Sequence, residues 1–453
     1  MTHPLEEIVT RGQCMGCGLC AATLRDASPA TRVTMVPDPE LGHYRPVVSG
    51  WKTGDEPGSY VCPGASMDMP ALSLQVHGRE PEDPITGIWR EVRAVASTDP
   101  VDRQRAASGG AVPAILRHLF DSDEIDCAYC LITSPDERDG YGALITHRDE
   151  LRKAHGSMYH PADFGRNLAR LLAGEERFAI VGLPCQIAGL QMIFAEDPAA
   201  RSRCVLTIAV FCGGINRFDG IAYYLEAFDI QADAIRTIRY REGEWPGAMA
   251  VELADGETRK VPRIHGNSRW KILRYMAAFQ GPWMLKRCRI CPDQIGDFAD
   301  ISVGDPHLPR FRALAREESG QGYSAMLIRS EHGERIVAAA LSANRLRELP
   351  LSRDELVASQ GYTLENRRQA AIYAAMERHL RGSPPSIVPY AKLEEHARFR
   401  HRVSAFLDLV KLRVRLNRFT RVMLPYWQAF EYLFLRFPLL FLGNRLLKLL
   451  KNR

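Results

Sequence analysis

Eight of the eleven cysteines in this 453-residue chain fall into two groups, and any fold that uses them must gather sulfurs that lie far apart in the sequence. The first group reads Cys14-Met-Gly-Cys17-Gly-Leu-Cys20, with Cys62-Pro63 further on. The second is scattered: Cys185 in Gly-Leu-Pro-Cys-Gln, Cys212 in Phe-Cys-Gly-Gly, then Cys288-Arg-Ile-Cys291-Pro. Four thiolates around a cubane of iron and sulfide is the simplest chemistry that uses such a set. Two such clusters would move electrons one at a time.

In the first group, Gly16 and Gly18 let the backbone turn tightly and aim N–H groups at sulfide. Bacterial ferredoxins carry a fourth cysteine a few residues on, which serves a second cluster. Here Cys20 is followed by Ala-Ala-Thr-Leu, so Cys62 is the expected closing ligand of a single cluster. The same four thiolates suit zinc, but a zinc ribbon has paired Cys-x2-Cys knuckles, which a triplet plus Cys-Pro does not match. Cys288-x2-Cys291 is such a knuckle, and with Cys185 and Cys212 it completes a second set. Cys127 and Cys130 also have knuckle spacing, yet they sit in an apolar run that reads as a strand. Residues three apart in a strand face opposite ways, so both read as core packing, as does Cys204.

The body of the chain is an ordinary globular composition, 46% hydrophobic and 25% charged, large enough for two or three domains. Eleven cysteines over this length are too sparse for a disulfide scaffold. The opening residues have neither a basic nor an apolar stretch of a signal peptide, so a cytoplasmic location is expected. Charge is uneven. Residues 398–453 hold 13 Lys/Arg and 2 acids, while the whole chain has a net charge of +5, which leaves the remainder mildly acidic.

Along the chain the expected fold is an α/β core with a mostly parallel sheet, an N-terminal ferredoxin-like iron–sulfur module and a C-terminal helical basic tail. The expected segments are 1–80 for the module, 81–350 for the α/β domain, 351–397 for a helical extension and linker (Gly382 to Pro389), and 398–453 for the tail. Residues 125–132, 178–183 and 205–211 read as strands, the last two followed by helices near 186–194 and 220–228. Strand, Gly-rich turn, helix is the rhythm of a parallel sheet, whose sites gather at the C-terminal ends of strands. Cys185 and Cys212 both fall at such ends.

Two segments look able to hold an anionic cofactor. Ser108-Gly109-Gly110 opens an apolar-periodic helix, where backbone N–H groups and the helix dipole favour phosphate. Gly156-Ser157-Met158-Tyr159-His160 offers small residues, an aromatic face and an imidazole. A GxGxxG dinucleotide fingerprint is not found, so direct NAD(P) binding is not indicated.

Taken in order, Cys-x2-Cys-Gly-Leu-Cys with Cys-Pro-Gly, Ser108-Gly-Gly110, Gly156-Ser-Met-Tyr159, Gly182-Leu-Pro-Cys-Gln186, Phe211-Cys-Gly213 and Cys288-x2-Cys291 leading to Val303-Gly-Asp305 resemble the family of coenzyme F420 hydrogenase/dehydrogenase beta subunits. That family includes subunits acting on a deazaflavin and ferredoxin-dependent reductases of chlorophyll-type tetrapyrroles. The resemblance implies FAD on the α/β core, with Ser108, Gly109, Gly110, Gly156, Ser157, Tyr159 and Gln186 as its contacts. It also implies two [4Fe-4S] clusters, on Cys14, Cys17, Cys20 and Cys62 and on Cys185, Cys212, Cys288 and Cys291. The chain departs from the family in having Met158 where Lys or Arg is frequent, and Gly-Asp-Pro-His after the last knuckle.

The function expected is therefore a reductase. Electrons would pass from reduced ferredoxin or a similar donor through both clusters to FAD and on to an organic acceptor of unknown identity, with His160 or Tyr159 as proton donor. The alternatives are an electron-transfer subunit that feeds a partner enzyme, and a zinc-stabilised binding module. The tail alternates cationic with apolar and aromatic residues, which suits an anionic membrane surface at the inner face of the cell. Its aromatics sit in leucine-rich runs, so no nucleic-acid partner is expected; self-association is left open.

Overall fold

The structure is a computed structural model that describes residues 3–133, 139–154, 156–263, 268–381, 387–395, 401–403, 405–407 and 417–430. At its centre is an eight-stranded sheet: β1 (Glu91–Ser97), β2 (Cys127–Ile132), β3 (Tyr141–Ile145), β4 (Phe178–Gly182), β5 (Cys204–Val210), β6 (Ile301–Gly304), β7 (Ser324–Ile328) and β8 (Leu346–Pro350). Their spatial order is β8-β1-β7-β6-β5-β4-β2-β3. The four neighbours β6, β5, β4 and β2 run parallel. The outer pairings, β6 with β7, β7 with β1, β1 with β8 and β2 with β3, are antiparallel. Strand β1 thus points the same way as the parallel block, so one direction dominates while the pairing is mixed.

Both faces of the sheet are covered, which is why its strands read as continuous apolar runs. Along β7, Ala325 and Leu327 join one apolar layer, whereas Met326 and Ile328 join the opposite one. One cover is α1 (Ala111–Asp121), whose Ala114, Ile115 and Leu119 pack on the second layer. Helix α2 (Pro184–Glu196) is buried almost all round through Ile187, Leu190, Ile193 and Phe194, as expected of a helix trapped between layers.

A smaller antiparallel sheet of Ile235–Glu242, Ala248–Leu253 and Thr258–Val261 sits apart. With α3 (Arg269–Gln280) it encloses its own core of Tyr224, Tyr240, Met249, Tyr275 and Trp283. This unit interrupts the α/β pattern expected over 81–350. Another layer mixes segments from both ends of the chain. Met67, Met69 and Leu72 pack with Leu327, Phe298, Leu356, and Leu364 and Tyr373 of α4 (Gly361–Arg381). Residues on both sides of positions 80 and 350 therefore share one core.

Of the basic tail, residues 418–430 form α5 (Arg418–Phe430), packed against α3. Residues 382–386 of the expected linker, and most of 398–453, lie outside the described residues. Among the described residues no helix is long and apolar enough to cross a membrane.

Candidate redox site

The first cysteine group lies on a loop that two glycines bend. Gly16 and Gly18 adopt φ of 72° and 78°, the left-handed region that favours glycine. A Cβ on Gly18 would stand 2.6 Å from Asp163 Oδ1 and 3.0 Å from the Gly165 backbone. The Gly165 N–H donates to the Cys17 carbonyl at 2.8 Å, so the triplet is docked on the α/β core. Cys20 sits in the short helix Leu19–Thr23. The Cys62 turn closes against the same loop, because Gly64 lies on the Gln13 carbonyl.

The second group comes from three loops. Cys185 is the second residue of α2, where the helix dipole favours an anion. Cys212 follows β5, and its N–H donates to the Gln294 carbonyl at 2.9 Å. The Ile215 N–H points at Cys288 Sγ at 3.4 Å, and the Gly214 N–H at Cys212 Sγ at 3.4 Å. Behind Cys291, Asp293 Oδ1 accepts from the Gly296 and Asp297 N–H groups at 2.8 and 3.0 Å. Asp297, fully buried, pairs with Arg367 of α4 and lies 3.6 Å from Arg329, which fixes the 288–300 loop from two sides.

Both sets of four are near enough to repel when ionised. Burial, then Cys62, Cys17 and Cys14, drives the Cys20 thiol well above its ordinary value. Burial, then Cys291, Cys212, Cys288 and Cys17, does the same to Cys185. Cys17 thus acts on the second group as well as the first, and the two groups adjoin. Leu19 and Pro63 of the first group rest on Gly189 of α2. Burial pushes Cys14 up to about 12 and Cys291 up to about 11. A bound metal would deprotonate such thiols.

Four thiolates gathered from separate loops are a donor set that fits an iron–sulfur cluster. Zinc at ~2.3 Å from four sulfurs holds them only about 3.8 Å apart. Among the described residues, no three Cys, His, Asp or Glu side chains come close enough to hold one metal ion. In a cubane each thiolate binds a different iron, which sets the sulfurs further apart. The other three cysteines stay in the core: Cys127 and Cys130 join opposite layers of the sheet, and Cys204 is buried beside Cys127.

The expected flavin contacts divide. Gly110 (φ 73°) caps α1 without a side-chain hydrogen bond, which leaves the first N–H groups of the helix for an anion. Gly109 is glycine for packing, since a Cβ there would strike the Val95 carbonyl and the Ser324 nitrogen. Ser108 Oγ donates to the Tyr323 carbonyl at 2.5 Å. Gly156 is exposed and Ser157 half-buried on the loop before Tyr159. The Gln186 side chain has a structural task as well: Oε1 accepts from the Leu183 N–H at 2.7 Å and caps α2. His160 is enclosed. It is 2% exposed, its Nδ1 meets the Tyr240 hydroxyl at 2.5 Å, and its Nε2 lies 3.3 Å from the Asp139 carboxylate. Its place is behind Tyr240, enclosed by that hydroxyl and the Asp139 carboxylate.

Tyr159 is placed differently. Its ring lies 4.8 Å from Tyr240 and 5.4 Å beneath the Arg263 guanidinium, and Arg241 Nη1 reaches its hydroxyl at 3.4 Å. Burial would raise its pKa, but Arg263 and Arg241 outweigh that and lower it. Arg241 also pairs with Asp305 at 2.8 Å and donates to the Ala107 carbonyl at 2.5 Å, next to the Ser-Gly-Gly turn. Trp245 Nε1 donates to Asp305 at 2.7 Å, and His307 stacks on the Trp245 ring. Arg241, Arg263 and Trp245 belong to no local motif, so no signal in the sequence marks them. Asp305 does stand in the Gly-Asp motif after the last knuckle.

The fold and these sites can be set against known proteins. Family models for the coenzyme F420 hydrogenase/dehydrogenase beta subunit match residues 92–168 with the N-terminal part and 175–354 with the C-terminal part. The chain belongs to this family. One subunit of the F(420)H(2) dehydrogenase of Methanosarcina mazei is 24% identical over 82% of this chain and 93% of its own length. An uncharacterized protein of Methanocaldococcus jannaschii is 26% identical over 55% of this chain, and this match spans just 63% of the relative's own length. A chain of the F420-reducing [NiFe] hydrogenase complex from Methanosarcina barkeri superposes with a TM-score of 0.50, at 17% identity, over 65% of this chain and 95% of its own, a likeness of fold.

Proposed function

We propose that the protein is an iron–sulfur flavoprotein oxidoreductase that carries electrons from a reduced donor to an organic acceptor. The observation that carries this reading is the meeting of two four-cysteine groups, side by side, with Cys185 and Cys212 just past the C-terminal ends of the parallel strands β4 and β5. Clusters on Cys14, Cys17, Cys20 and Cys62 and on Cys185, Cys212, Cys288 and Cys291 would supply one-electron relay, and FAD near the Ser-Gly-Gly turn would supply two-electron chemistry.

The rest of the work falls to this chain's side chains. The α1 N-terminus and the Arg241–Arg263 pair supply positive charge for an anionic cofactor or substrate. Tyr159, its phenol made more acidic by those arginines, donates a proton to the acceptor. His160 holds Tyr240, and through it Tyr159, in place, which makes it a positioning residue. The aromatic wall of Tyr159, Tyr240, Tyr275 and Phe279 excludes water from that end.

A second reading has support from the relatives, several of which are named as subunits. In that reading the chain is the electron-transfer subunit of a larger assembly and feeds a partner enzyme. A reduced deazaflavin or a reduced ferredoxin is then the donor to test.

The test is anaerobic reconstitution with iron, sulfide and FAD, followed by rapid mixing with reduced ferredoxin, whose single electrons would have to pass through the clusters; reduced coenzyme F420, a hydride donor to flavin, is the cluster-independent control. Flavin bleaching by ferredoxin that is lost in Cys288→Ser supports the relay. Flavin reduced equally fast by ferredoxin in that variant contradicts it. Tyr159→Phe separates the readings: turnover with a free acceptor falls while flavin reduction stays, unless a partner subunit does the chemistry.

A further inference from the structure

Helix α5 carries its apolar residues on the wrong side for a soluble helix. Phe419, Val422, Met423, Tyr426 and Phe430 follow steps of three, one, three and four, which puts them in one sector of about 100°. All five face outward, between 45% and 72% exposed. The opposite side is already used: Leu424 and Gln428 are buried, and the Tyr223 hydroxyl donates to the Arg421 carbonyl at 2.9 Å. The stripe continues onto α3, where Trp270, 42% exposed, lies 5.0 Å from the Tyr426 ring. Six large apolar or aromatic side chains therefore form one outward patch across two packed helices.

The charge around the patch is cationic. Arg269 is exposed beside Trp270, and Lys271 stands over the Phe228 ring at 3.9 Å. Among the described residues the Glu226 carboxylate at this edge is shared by Arg274 at 2.8 Å and Arg421 at 3.7 Å, and in the sequence Glu431 follows Phe430 as the one acid of residues 411–453. In the sequence, α5 is flanked by Lys411, Arg413 and Arg415 on one side and by Arg436, Arg445, Lys448, Lys451 and Arg453 on the other.

We infer that the stripe of α5, with Trp270 of α3, rests on an anionic lipid surface. The apolar and aromatic side chains enter the headgroup boundary, and Arg269 with the basic residues that flank α5 in the sequence supplies charge for lipid phosphates. A protein partner of matching chemistry would need acidic groups around an apolar groove, whereas an anionic bilayer offers both at once. The placement also bears on the redox site. The same α3 carries Tyr275 and Phe279, whose rings join Tyr159 through Phe279, so the lipid face and the Tyr159 pocket share one helix.

The experiment uses the full chain with its cofactors and vesicles of phosphatidylcholine alone or with about 30 mol% phosphatidylglycerol. The wild type is expected to co-sediment with the anionic vesicles, less so in high salt, and to leave the zwitterionic ones. The triple variant Val422→Ser, Met423→Ser, Tyr426→Ser changes exposed side chains only and is expected to lose about tenfold or more of that binding. As a check on the wild type itself, amide exchange in residues 418–430 should slow when anionic vesicles are added. The inference is overturned if the triple variant binds as the wild type does, if anionic vesicles are not bound, or if the stripe instead drives self-association in sedimentation velocity. None of these results depends on the redox reading.

Discussion

Replacing Gly18 by alanine tests how the first cysteine group is attached to the rest of the molecule. Two terms add. At φ of 78° an L-residue is strained by about 1–2 kcal/mol. The new methyl would also stand 2.6 Å from Asp163 Oδ1 and 3.0 Å from the Gly165 N and Cα. The Gly165 backbone cannot retreat easily, and the Asp163 carboxylate could turn away only from a fixed main chain. The Asp163 N–H donates to the Gly140 carbonyl at 3.0 Å, its carbonyl accepts from the Gly142 N–H at 3.0 Å, and Gly165 is held to Cys17. Overpacking against such a wall adds about 1–3 kcal/mol. The total is about 2–5 kcal/mol, concentrated where Cys17 meets the core. Gly78→Ala isolates the backbone part, since Gly78 has φ of 71° and nothing within 4 Å of a Cβ. Denaturant melts of the two holoproteins, followed by cluster absorbance, should show Gly18→Ala unfolding at clearly lower denaturant and losing iron first. Equal midpoints for the two variants would refute the docking of the loop on Gly165.

Three other outcomes follow from buried charges. Arg367→Met removes the main partner of the fully buried Asp297 and should destabilise the protein by about 3–5 kcal/mol in chemical denaturation. Asp305 is held well below the usual carboxylate range: burial opposes this, and Arg241 and then His307 overcome it. A depressed carboxylate stabilises the fold above its unfolded pKa, about 3.9, and withdraws that support as the pH falls. Asp305→Asn should therefore be less stable than wild type at pH 7, with the gap closing towards strong acid in acid titrations. Arg287 is 1% exposed, donates to the Pro63 carbonyl at 2.7 Å, and has Nε and Nη1 without hydrogen-bond partners. Its charge acts on Cys62 of one group and on Cys288 and Cys291 of the other. Arg287→Met should lower both midpoint potentials in a redox titration, by roughly 60 mV for each tenfold loss of preference for the reduced state.

The strands that lead to Cys185 and Cys212 were legible because a sheet covered on both faces writes itself as unbroken apolar runs. Residues 178–183 and 205–211 became neighbouring β4 and β5. The opposite facing of Cys127 and Cys130 followed from the two-residue period of a strand. What stayed hidden is long-range. The antiparallel sheet around Tyr240 has short, partly charged strands whose pairing depends on Trp283 and α3, not on local pattern. Arg241 gains its importance from Ala107, Tyr159 and Asp305, each distant in sequence. His160 looked like an available imidazole because one sequence cannot report that Tyr240 and Asp139 would enclose it. The outward stripe of α5 was visible as alternating apolar and cationic residues, but its facing required α3.

The central claim is that eight cysteines build two adjacent clusters. Iron and acid-labile sulfide should be counted on the anaerobically reconstituted chain, together with Cys62→Ser and Cys291→Ser. About eight irons and eight sulfides are expected in the wild type, and roughly half as many in each single variant. One zinc per group, or a wild-type count that either substitution leaves unchanged, would contradict it.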